Sequence, residues 1–99
     1  MLEVQLNERG DVVLTGRFDA AQVDKARDVF DGLKVTTFVD FSGLEYISSA
    51  GLGVLVATQR RLKESGQKLI LRNLKGYVRD IFKIARFELI FDIEEAPTL

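Results

Sequence analysis

Two adjacent hydroxyls near mid-chain, Ser48 and Ser49, are the side chains best placed for chemistry. They head the stretch Ala50-Gly51-Leu52-Gly53-Val54-Leu55-Val56-Ala57, small or apolar on every side, which reads as a helix entered directly from a turn. Either serine suits the N-cap, because a hydroxyl there accepts from amide hydrogens that the first helical turn leaves free. Those amides and the helix dipole also favour a negative group at the same place. The pair therefore reads in two ways, as a phosphate acceptor or as a cap and nothing more. Leu52, Leu55, Val56 and Leu62 supply the stripe expected to face a core, leaving Gly51, Gly53, Val54 and Ala57 largely off it as a smooth face. Either a partner or the domain itself covers that face.

Other chemistries lack their residues. The chain has no cysteine and no histidine, which removes disulfides, thiol nucleophiles, imidazole bases and most transition-metal sites. Gly51-Leu52-Gly53 is too short a glycine spacing for a phosphate-binding loop, and no Lys-Ser/Thr pair follows it. Asp40 lies at the carboxyl end of an expected strand, where α/β sheets gather functional groups, yet no base, nucleophile or ligand accompanies it. Its expected role is to accept backbone hydrogen bonds in the adjoining loop. No catalytic residue, metal or cofactor is expected, and the protein reads as a non-enzyme.

Composition bounds the partners. A net charge of −1 gives no general attraction to nucleic acid. With 46% hydrophobic and 29% charged residues, the 99-residue chain suits one soluble domain with a real core. Neither a signal-peptide region nor an apolar run long enough to cross a bilayer is present, so a cytoplasmic protein without membrane insertion is expected.

The elements that must position the serines follow from periodicity. Leu2, Val4 and Leu6 alternate with polar residues as a strand, Glu8 to Asp11 turns, and Val12 to Thr15 returns antiparallel. Gly16 to Asp19 reads as an exit loop with Asp19 capping a helix whose inner edge is Val23, Ala26, Phe30 and Leu33. Asp19 and Ser49 both follow strand ends and are expected side by side, Asp19 as a cap alone or also as a partner contact. Phe18 and Tyr46 are each either core or exposed anchor. Val35 to Phe41 reads as a buried strand, Ser42 to Ile47 as a loop, and 49–64 as a helix with a solvated basic end at Gln59 to Glu64. Lys68 to Arg72 is the next strand, Val78, Ile81, Phe82 and Ala85 share a helix face, and Leu89 to Phe91 is a short last strand before a polar tail over about 92–99. The order predicts one mixed sheet, an antiparallel hairpin followed by mostly parallel strands, with helices packed against it.

Asp40-Phe41-Ser42-Gly43-Leu44, followed by Ile47-Ser48-Ser49-Ala50-Gly51-Leu52-Gly53, resembles the signature of the STAS domain as found in bacterial anti-sigma factor antagonists. The likeness extends over nearly the whole chain, including Gly16-Arg17-Phe18-Asp19 and the run from Phe82 to Phe91. It implies a single STAS domain over 1–99. In the usual Asp-Ser-Ser/Ala-Gly form the serine two positions before the glycine is phosphorylated. That is Ser49 here, with Ser48 the second candidate. Ser48 stands where those antagonists usually carry aspartate, an acidic neighbour that tunes the field at the hydroxyl and recognition by the kinase. The resemblance further implies that the unphosphorylated protein docks onto an anti-sigma factor serine kinase and frees a sigma factor. A PP2C-type phosphatase would reverse the modification. The implied partner surface is Asp19, Ser48, Ser49, Ala50, Gly51, Leu52, Gly53 and Val54, with self-association no stronger than a weak homodimer. The alternative is a non-phosphorylated STAS scaffold in a larger regulatory or lipid-transport assembly. A third class, a small-ligand or nucleotide pocket beside the serines, rests on the helix dipole alone.

Overall fold

The computed structural model describes residues 1–94. A single five-stranded sheet runs in the order β1 (Leu2–Leu6), β2 (Val12–Phe18), β3 (Thr37–Ile47), β4 (Leu69–Arg72), β5 (Asp92–Glu94). β1 and β2 are antiparallel, and each later pair is parallel. The helices α1 (Val23–Phe30), α2 (Ser49–Lys63) and α3 (Gly76–Ile84) are the crossovers between successive parallel strands. Because strands follow one another across the sheet in sequence order, crossovers of one hand put all three helices on the same face. The core accordingly draws on one parity of each strand, Leu2, Val12, Leu14, Val39, Phe41, Leu69 and Leu71, and on Ala26, Phe30, Leu55, Leu62, Val78 and Phe82 of the helices.

Four sequence expectations shift. β2 continues through the expected exit loop to Phe18, which is fully buried and so belongs to the core. Gly16 makes this continuation workable: its φ is +96°, and a Cβ there would stand 2.1 Å from the Met1 carbonyl oxygen. β3 begins at Thr37, leaving the expected Val35 outside it and 63% exposed, and it likewise runs through the expected loop 42–47, with Leu44 and Ile47 buried. Two register irregularities against β2 absorb the extra residues, between Val13/Thr15 and Gly16/Arg17. Strand pairing thus overrides the turn signal of Ser42-Gly43.

The end of the chain differs too. Phe87–Leu89 is a turn of 3₁₀ helix and the last strand is Asp92–Glu94, where a strand at Leu89–Phe91 and a polar tail from Asp92 were expected. The aromatic cluster explains the displacement: Phe91 is buried with its ring 5.7 Å from Phe87 and 6.2 Å from Phe82. The remainder of the expected tail, 95–99, lies outside the described residues. Ala85 falls just past α3 and is exposed, so the inner edge of that helix is Val78 and Phe82, with Ile81 half-buried.

The fourth shift is on α2. Its buried positions are Gly51, Val54, Leu55, Thr58, Gln59 and Leu62. The helix is therefore rotated from the expected stripe, leaving Leu52 and Val56 half-buried at its flank. The basic end is not simply solvated. Gln59 is 2% exposed, accepts the Leu69 N–H at 2.8 Å and donates to the Ile90 carbonyl at 2.9 Å. Arg61 donates to the Phe30 and Leu33 carbonyls, both at 2.8 Å, and so closes the carboxyl end of α1.

Candidate functional site

The site grows out of the junction between β2, β3 and α2. At the ends of the two paired strands, the Ser48 N–H donates to the Phe18 carbonyl at 2.9 Å. This bond sets the point at which the chain leaves the sheet. Ser48 itself is extended (φ −88°, ψ 169°), its Oγ accepts the Gly51 N–H at 3.2 Å, and its carbonyl accepts the Leu52 N–H at 2.9 Å. Ser48 is therefore the N-cap, which resolves the choice the sequence left open.

Ser49 is then the first helical residue. It is exposed, and its hydroxyl has no hydrogen-bond partner among the described residues. Ala50, Gly53 and Ala57 are exposed beside it. Gly51 faces the other way, into the domain. A Cβ there would come within 2.9 Å of Ile47 Cγ1 and 3.0 Å of the Phe18 ring, so only glycine lets α2 start this close to β2. Val54 is 3% exposed. Of the expected partner surface, Gly51 and Val54 are thus withdrawn into the core, because the helix presents their side to the sheet.

Asp19 follows Phe18 directly after β2. Its Oδ1 accepts the Ala21 N–H at 3.1 Å and caps the 3₁₀ turn Ala20–Gln22 that leads into α1. The carboxylate is half-buried.

Two neighbours were not found from sequence. Tyr77, at the start of α3, stacks on Tyr46 with ring centroids 5.8 Å apart and planes 10° from parallel. The Arg17 guanidinium lies 4.4 Å from the Tyr46 centroid. Tyr46 is half-buried, Tyr77 51% exposed and Arg17 exposed, so the three extend the surface on the β3 side of the serines. Only Tyr46 carried a signal, through its place just before the serines. The other two reach it through strand register, Arg17 opposite Tyr46, and the crossover to α3.

Asp40 does the structural work expected of it. Its Oδ1 accepts the Ser42 N–H at 2.9 Å and the Asn73 amide at 3.0 Å. Partial burial pushes this carboxyl up, but the hydrogen bonds from Asn73 and Ser42, together with the Arg72 charge, outweigh it and hold the group below the ordinary carboxylate value. Among the described residues no group of three or more His, Cys, Asp or Glu side chains is arranged to hold a metal ion. No helix among them is long and apolar enough to cross a membrane. The arrangement offers one exposed serine hydroxyl, that of Ser49, on a helix start and an uncharged face beside it.

Comparison with known proteins agrees with this architecture. Residues 2–92 match the family described as Mlab, STAS domain. The chain is 38% identical over 74 residues to BtrV of Bordetella bronchiseptica, a protein assigned as an anti-sigma factor antagonist. That match takes in 75% of this chain and 58% of the Bordetella protein. Identity to the anti-sigma-B factor antagonist of Listeria monocytogenes is 24% over 101 residues, covering 94% of this chain and 89% of that protein. Among solved structures, the anti-sigma factor antagonist SpoIIAA of Bacillus superposes in its unphosphorylated form with a TM-score of 0.69 at 21% identity, over 98% of this chain and 90% of that one. Its phosphorylated form superposes equally well, at 0.69. With a match over 2–92 and a sheet order that fits, this chain belongs to the STAS domain family.

Proposed function

We propose that this protein is an anti-sigma factor antagonist, a protein-binding module switched by phosphorylation of Ser49. Its unphosphorylated form docks through the exposed start of α2 onto an anti-sigma factor and thereby frees a sigma factor. The anti-sigma factor is the serine kinase that modifies Ser49, and a PP2C-type phosphatase restores it. Support comes from the relatives that carry this name and, above all, from one observation. Ser48 is used up as the cap while the Ser49 hydroxyl stands exposed and unengaged at the first helical residue.

In this reading the switch acts on the docking surface and not on the fold. A phosphate adds about −1.5 to −2 charges and three acceptor oxygens. At a helix start an anion is stabilising, by roughly 0.3–1 kcal/mol in exposed settings, so the fold survives modification. The effect falls instead on the surface made by Ala50, Gly53 and Ala57 with the half-buried Leu52 and Val56. A hundredfold loss of affinity takes only about 2.8 kcal/mol. Desolvating a dianion against an apolar partner costs at least that. Asp19, at the same junction, adds a carboxylate to the edge of the contact.

Incubation with ATP and the candidate kinase, read by intact mass, tests the proposal. One added phosphate that is absent in Ser49→Ala supports it. A stable complex with no phosphate on any residue supports the second reading, a constitutive scaffold in a larger assembly. The serine in place of the family's usual aspartate at position 48 favours that reading.

A further inference from the structure

The cavity of about 700 Å³ between α3 and β5 lies away from Ser49 and shares no residue with the exposed face of α2. Asp92, Ile93 and Glu94 all line it. Successive strand residues point to opposite faces, so a space touched by three in a row runs along the edge of the strand, and β5 is the outermost strand of the sheet. The wall opposite is α3, where Arg79 and Lys83, four residues apart, share one face. Leu74 and Ile93, both half-buried, give it an apolar surface backed by the Phe82 and Phe91 rings. Its volume falls within the range of small-molecule clefts, and its lining sets four apolar side chains, Leu74, Phe82, Phe91 and Ile93, beside six charged ones.

Three of the charged side chains are basic, Arg79, Lys83 and Arg86, and three are acidic, Glu88, Asp92 and Glu94. Each acid on the lining already has a partner: Asp92 pairs with Lys68, Glu94 with Arg72 at 2.6 Å, and Glu88 with Arg86 at 2.7 Å. Lys83 forms no ion pair among the described residues. Arg86 holds the rim in a left-handed conformation, φ 57°, that side chains other than glycine rarely adopt. One exposed ammonium competes poorly with water for a small anion. Apolar contact must supply the rest of the affinity.

We propose that this cleft binds an amphiphilic organic anion, its acidic head at Lys83 and its apolar body against Leu74 and Ile93. The site is independent of the Ser49 reading, and occupancy leaves the Ser49 hydroxyl open.

Titration of the full chain with dodecyl phosphate, followed by calorimetry and amide NMR shifts, tests it. The expected result is saturable one-to-one binding with shifts confined to Leu74, α3, the 86–91 turn and β5. Lys83→Glu should weaken it at least about tenfold, a change of about 1.4 kcal/mol, and Lys25→Glu, on the exposed side of α1, should leave it unchanged. Absence of saturable binding, undiminished binding to Lys83→Glu, or shifts centred on α2 would overturn the proposal. Equal shifts with inorganic phosphate would overturn it as well, reducing the cleft to a simple anion contact.

Discussion

Ser48 and Gly51 are tied by a hydrogen bond from the Gly51 N–H to the Ser48 Oγ, 3.2 Å long, that assigns different work to two neighbouring serines. The first caps the helix, and the second, exposed at the first helical residue, takes no part in the cap. Ser48→Ala is expected to cost about 1 kcal/mol in urea unfolding, the usual loss of a cap, while still accepting phosphate at residue 49. Ser48→Asp keeps a capping acceptor and adds favourable charge at the helix start, so its stability should match or exceed that of the parent chain.

Two glycines on one helix turn should respond in opposite directions. Gly51→Ala forces a methyl to within 2.9 Å of Ile47 and 3.0 Å of Phe18, an overpacking cost of about 1–3 kcal/mol. Gly53→Ala meets nothing within 4 Å and should gain about 0.5–1 kcal/mol in helix propensity. Paired thermal melts read both signs. A loss of partner binding in the more stable Gly53→Ala would place that residue inside the docking surface.

Gln59→Leu tests the buried tie between α2, β4 and the turn before β5. It orphans the buried Leu69 N–H, for about 1–3 kcal/mol, and releases the Ile90 carbonyl. Denaturant unfolding should show the loss, and amide exchange at Leu69 should accelerate more than exchange in β1.

Acid should weaken the fold through Asp40. Its carboxyl is held below its ordinary value in the native state, so the native state binds its proton less readily than the unfolded chain. That stability is fully present above the unfolded-state value of about 3.9 and is lost as pH falls through the lower native value. Asp40→Asn removes this contribution. The variant should be less stable than the parent at neutral pH, and the gap should narrow in urea melts below about pH 4.

Much of this was readable from residue order. The hairpin at Leu2 to Thr15, the helix at Val23 to Phe30 and the helix beginning at the serines each carry a strong period or a cap, and the structure has all three. What sequence hid was decided by contacts far apart in the chain. Ser42-Gly43 has the composition of a turn, yet pairing with β2 keeps it in a strand. Gln59 and Arg61 look like solvated ends, yet the first satisfies β4 and the second closes α1. Val54 looked available, and helix rotation buries it. The serines themselves were legible, but which of them caps was fixed only by the Gly51 N–H.

The most direct measurement is to locate the phosphate after reaction with ATP and the candidate anti-sigma factor kinase, together with the affinity of each form for that partner. The account predicts one phosphate, on Ser49, and at least a hundredfold weaker binding of the modified form, about 2.8 kcal/mol, with helix content unchanged. Phosphate on Ser48, or a Ser49-phosphorylated protein that binds as tightly as before, would contradict it.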